Sequence, residues 1–200
     1  MSTGNADQAN CPNPIDPAVL ADYWVAGLTT VEEEAVEQHL LACDRCGERL
    51  REVIALAEGV RKLAREGSLD MIVSESFLKR AADEGLRVRQ YAPPPGGGVQ
   101  CTVTAEDDIL IGRLAADLSG AKRVDLCFCD ERGVEQTRWP DIPMNLDDDV
   151  LFQYSITYAK ASPDYKLIVR LVAIDEEKSE RLLGQYTFNH KRSIPGPAAW

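Results

Sequence analysis

The stretch Val31–Arg49, VEEEAVEQHLLACDRCGER, decides how the chain is read. It sets His39, Cys43 and Cys46 at H-x3-C-x2-C spacing. On a helix, His39 and Cys43 share one face, one turn apart. Cys46 follows across an Asp44-Arg45 step that can end one helix and begin another. Three soft or borderline donors brought to one point suit a tetrahedral Zn2+, and a fourth ligand must come from elsewhere. Cys11 is the candidate, because no other Cys or His lies in the first half of the chain. The chain has six cysteines, an even number that would suit disulfides in a secreted protein. In a reducing compartment, Cys beside His at this spacing reads as metal binding first.

Outward from this stretch the pattern is helical. Asp16-Pro17 is a helix start, with Asp as N-cap and Pro at the first helical position. That first helix is expected to stop at Gly27. Thr30-Val31-Glu32-Glu33 reads as a capping box opening the second helix, which ends near Cys43. A third helix is expected from about Asp44 to Arg65, its stripe of Leu50, Val53, Leu56, Val60 and Leu63 repeating at three- and four-residue steps. Ser74 or Ser76 caps a short fourth helix, closed by Gly85, and LRVRQY alternates like a strand. APPPGGG (92–98) then breaks all regular structure and marks a boundary. Beyond it the period changes to two. Seven candidate strands (VQCTVTA, DILIGRLAADL, RVDLCFCD, VEQTRW, VLFQYSITYA, YKLIVRLVAID, RLLGQYTFNH) predict an antiparallel β-sandwich. The expected fold is therefore α+β in two domains: a small zinc-binding helical bundle over 1–91, a Pro/Gly linker over 92–98, and a β-rich domain over 99–200. The opening residues 1–14 and the closing SIPGPAAW read as loose ends.

The 200 residues are 44% apolar, enough for a core, and carry a net charge of −11. An acidic chain of pI near 4.7 argues against direct nucleic-acid binding, which rests on Lys and Arg neutralising phosphate. Residues 1–44 hold eight acids and no Lys or Arg, a solvated acidic face or a surface for a basic partner. No basic-then-apolar leader and no apolar run of about 20 residues is visible, so the expected setting is cytoplasmic, without a membrane. No Ser-His-Asp set, G-x-S-x-G or phosphate loop stands out, so no enzyme is expected.

The segment from Cys11 to about Leu56 resembles the zinc-binding anti-sigma domain. The matching features are Cys11-Pro12, the AVLADYWVAGL helix, a T-x-x-E-x-x-V-E-x-H step and HLLACDRC. They span roughly the first quarter to third of the chain. The resemblance implies a small helical bundle around one Zn2+ with His39, Cys43 and Cys46 as ligands and Cys11 as the fourth. It implies an anti-sigma factor that sequesters an extracytoplasmic-function sigma factor from core RNA polymerase. Some members release zinc and form a disulfide on oxidation, which Cys11, Cys43 and Cys46 could do here. Leu20, Trp24, Leu56, Phe77 and Leu78 are candidate anchors for that partner, or internal packing of the bundle. The alternative function is a zinc-stabilised cytoplasmic adaptor or sensor that binds a different protein through its β domain.

Cys127 and Cys129 share one face of a strand, and with Cys101 and His190 could form a second metal site; a buried core position suits two such cysteines better, and a strand-end surface position suits His190 better. The acidic runs at Asp147–Asp149 and Glu106–Asp108 do not fit a calcium-loop spacing and read as solvated turns.

Overall fold

The computed structural model describes residues 11–144, 149–176 and 178–192. The chain divides into two compact units, Met1–Lys62 and Leu63–Trp200. The division falls inside a helix rather than at 92–98.

The first unit is helical. α1 (Pro17–Trp24) starts where Asp16 accepts from the Ala18 N–H at 2.7 Å. It closes on Ala26, which takes the left-handed conformation expected of Gly27 (φ 55°), while the Gly27 N–H reaches back to the Asp22 carbonyl at 2.8 Å. α2 (Thr30–Ala42) does open on a capping box, but one residue early: Thr29 is the cap, paired reciprocally with Glu32. Cys43, with extended backbone (φ −137°, ψ 98°), ends it, and α3 (Asp44–Arg65) begins at the next residue. Leu20, Val36 and Cys46 are the buried apolar residues here among those described. Leu56 and Val60 of the α3 stripe are exposed, at 70% and 46%.

The second unit carries two facing sheets. β1 (Met71–Val73) and β2 (Val88–Tyr91) flank α4 (Glu75–Asp83), which Ser74 caps through the Phe77 N–H. β3 (Gly98–Cys101), β4 (Ile109–Ala115), β5 (Arg123–Cys129), β6 (Glu135–Trp139) and β7 (Asp149–Tyr154) follow; after α5 (Ile156–Ala161) come β8 (Tyr165–Ile174) and β9 (Glu180–His190). The sheet orders are β1-β7-β4-β2 and β3-β9-β8-β5-β6. Leu114 and Phe152 from one sheet meet Leu126, Phe128, Val169, Leu171, Tyr186 and Phe188 from the other in one core. The class is thus α+β with antiparallel-rich sheets. Two features depart from the expected all-antiparallel sandwich: β2 pairs with β4, and β3 with β9, in parallel.

The Pro/Gly segment connects β2 of one sheet to β3 of the other, so it lies within the β-rich unit. β1 and α4 belong there too: Phe77 and Leu78 pack against Val73, Ala81, Ile109, Ile111 and Leu151. SITYA, expected as strand, is helix, because Ser155 accepts from the Tyr158 N–H and caps α5.

Candidate metal centre

Three chain segments converge on one point of the helical unit. α2 brings His39 on its last full turn, the α2–α3 junction brings Cys43, and the first turn of α3 brings Cys46. Cys11 comes from the loop before α1, which is tied down where the Arg49 guanidinium donates to the Ile15 carbonyl at 3.2 Å. The four potential ligand atoms all lie within 4.8 Å of one another, so this Cys3His cluster could hold a metal ion. His39 Nε2 is 3.2 Å from Cys46 Sγ and 3.5 Å from Cys11 Sγ, and those two sulfurs are 4.0 Å apart. Cys46 is buried; the other three are half-buried.

The electrostatics suit an anionic sulfur. The Cys46 backbone N–H, in the first turn of α3 where amides have no helical partner, donates to Cys43 and, with hydrogen bonds from the surrounding side chains, lowers its thiol to about 7. Partial desolvation and the neighbouring thiols push Cys11 up. Four such donors crowded together compete for protons, and a bound cation removes that competition.

The anchors expected for a partner have separate fates. Leu20 is fully buried within the helical unit, and Phe77 and Leu78 pack inside the β-rich unit. Trp24 is half-buried, with the Arg61 guanidinium 4.1 Å above its ring. Leu56 stands exposed.

Among the described residues no second metal cluster forms. Cys101, Cys127 and Cys129 are buried, and burial raises Cys101 to about 11 and Cys127 to about 12. His190 is not at the surface: it is 3% exposed and stacks on Tyr165 with ring centroids 4.7 Å apart. The acidic runs are structural. Asp107 is buried in a bidentate pair with Arg89 (3.0 and 3.1 Å), Asp108 accepts from the Arg87 N–H, and Asp149 pairs with Arg113 at 2.8 Å. Asp147 and Asp148 lie outside the described residues, as do 1–10 and 193–200 from the loose ends.

No helix among the described residues is long and apolar enough to cross a membrane. No protein-family model matches the chain, and no curated protein does. Among the solved structures that match, three show how loose the likeness is. The fibronectin(III)-like modules of Clostridium thermocellum CbhA are 8% identical, covering 63% of this chain and 100% of theirs, at a TM-score of 0.28. The N-terminal domain of phage TP901-1 ORF48 is 7% identical, with 53% and 98% covered, at 0.32. CopC from Methylosinus trichosporium OB3b is 10% identical, with 64% and 98% covered, at 0.25. At such scores the likeness carries no argument.

Proposed function

We propose that the chain is an anti-sigma factor of the cytoplasm, in which a zinc-stabilised helical domain sequesters an extracytoplasmic-function sigma factor. The observation that carries this reading is the gathering of Cys11, His39, Cys43 and Cys46 at the α2–α3 junction. A tetrahedral zinc with Zn–S of about 2.3 Å and Zn–N of about 2.0 Å spaces its ligands by roughly 3.5–3.8 Å. The separations among Cys11, His39 and Cys46, 3.2–4.0 Å, bracket that range, and Cys43 completes a set whose four ligand atoms lie within 4.8 Å of one another. Zinc bound here would lock the end of α2 to the start of α3 and tether the loop before α1. The chain's own residues do the rest. Leu41, Leu56 and Val60 are exposed apolar side chains on α2 and α3 (91%, 70% and 46%), of the kind a helix-in-groove contact covers. The acidic first 44 residues complement a basic, DNA-facing surface on the partner.

The test is co-expression with the extracytoplasmic-function sigma factors of the source genome, with zinc counted on the purified complex. One zinc per chain and a complex that excludes core polymerase are expected. Leu56→Asp is expected to weaken the complex at least about thirtyfold, as loss of an interface hot spot does, without loss of zinc. A metal-free, fully folded helical unit would defeat the reading.

A further inference from the structure

The β-rich unit holds a pocket that the proposed function leaves unused. At one end of the sandwich, Phe128 (β5), Trp139 (β6), Tyr154 (β7), Tyr158 (α5) and Tyr165 (β8) line a cavity of about 360 Å3, with Asp70 at its wall. The rings touch in sequence. Phe128 and Trp139 are 4.6 Å apart by centroid, Phe128 and Tyr154 6.5 Å, Tyr154 and Tyr158 6.0 Å, and Tyr158 and Tyr165 6.4 Å. They are not a flat platform. Tyr158 is inclined at 79° to Tyr154 and 62° to Tyr165, and Trp139 at 58° to Phe128.

Rings so inclined and so spaced can turn several faces toward one guest within about 6 Å of each centroid, the reach of a cation–π contact. Each face carries the negative end of the ring quadrupole. Tyr158 is 58% exposed, so beyond its edge contacts with Tyr154 and Tyr165 much of its ring is open to a guest. Asp70 adds a fixed anion: one carboxylate oxygen accepts from the Ser155 N–H at 2.6 Å, which holds the group at the start of the helix that carries Tyr158. Asp130, also in the wall, is already bound to Arg132 and to backbone amides, so Asp70 is the working charge. Lys166 lines the same cavity from an exposed position on β8 and is the opposing charge among the described residues that line it.

We propose that this pocket binds an alkylated ammonium ion: a trimethylammonium head enclosed by Tyr154, Tyr158, Tyr165 and Trp139 and neutralised by Asp70. Such a head is more weakly hydrated than a primary ammonium, has no N–H to donate and is too bulky for a compact salt bridge, so inclined aromatic faces with one carboxylate match it. The head occurs on small choline-like molecules and on trimethylated lysine side chains, and the two share this chemistry.

The experiment is calorimetric titration of the full chain with choline, with 3,3-dimethylbutan-1-ol (the same shape without charge) and with a trimethyl-lysine peptide. Saturable binding of choline is expected, with the neutral alcohol at least about tenfold weaker. Asp70→Asn keeps an oxygen for the Ser155 N–H and is expected to weaken choline several-fold. Lys166→Gln is expected to tighten it, and Tyr158→Ala to abolish it with the melting curve of the β-rich unit unchanged. The peptide binding more tightly than choline would assign a modified protein tail as the source; choline binding more tightly would assign a small molecule. Equal affinity for choline and the alcohol, or indifference to both the Asp70 and Lys166 changes, overturns the proposal. So does absence of saturable heat with choline and peptide alike. None of these outcomes touches the metal centre or the sigma-factor reading.

Discussion

Asp125 is a charge at 1% exposure, in the middle of β5. Burial by itself raises its carboxyl, but the Asp141 N–H and the guanidiniums of Arg123 and Arg138 outweigh that and hold it below the usual range. A group whose folded pKa is depressed stabilises the fold above its unfolded pKa of about 4 and loses that contribution as pH falls through the folded value. Asp125→Ala takes the carboxylate from the Asp141 N–H, Arg123 and Arg138, of which Arg138 keeps Glu135 and Glu180 and Arg123 is 45% exposed, and is expected to cost about 1–2 kcal/mol at neutral pH. Urea denaturation from neutral pH downward checks it: the gap between variant and wild type should close in acid. His190 titrates in a different window. Desolvation lowers it, although a hydrogen bond to the Ala159 backbone opposes the shift, and its Nε2 is buried without a partner. Because hydrogen bonding to Ala159 favours the charged ring, Nδ1 is the donor, and the neutral ring keeps its lone pair on Nε2. Wild-type stability is therefore expected to fall as pH drops below about 6.5 toward the folded pKa, and His190→Phe should remove that part of the slope in a pH series of thermal melts. None of this was legible in the sequence, where His190 reads as a polar residue closing a strand.

Elements were legible to the extent that their signals are local. Asp16-Pro17 and Ser74 name their helices because a cap needs only its next three residues. The capping box shows the limit of that rule: Thr29 and Thr30 each have a Glu three positions on, and only backbone geometry chooses between them. Thr29→Ala is expected to cost about 1 kcal/mol in the stability of the helical unit and Thr30→Ala far less, by chemical denaturation. VLFQYSITYA failed as one strand because alternation continues through Ser155 while the chain turns into α5. The parallel pairs were invisible because register between distant segments is set by the core they share, not by either segment. Gly67 reads as an ordinary helix stop, yet its φ of +63° is joined by a steric demand: a Cβ there would sit 2.2 Å from the Asp108 carbonyl oxygen. Gly67→Ala is expected to destabilise the β-rich unit by about 2 kcal/mol or more, measured by the urea midpoint.

For the molecule as a whole, the H-x3-C-x2-C spacing announced the ligand cluster from a few residues, whereas the aromatic pocket draws on five separate elements and left no trace in any of them. The helical unit buries little apolar surface among its described residues, and helices of 8 and 13 residues are marginal alone. A structural zinc contributes about 10–16 kcal/mol of apparent binding free energy, on the scale of a whole domain's stability. Cys46→Ser is expected to abolish metal retention and hydrogen-exchange protection across 17–62 while 75–190 keeps its protection, a comparison that mass spectrometry reads in one sample. The place of β9 has a consequence for biosynthesis. The strand formed last, Glu180–His190, sits between β3 and β8, so residues 98–101 wait unpaired for almost ninety residues of translation. At roughly 5–20 residues per second, that leaves a bare backbone edge on the ribosome for several seconds, long enough for a chaperone to be the first thing it meets.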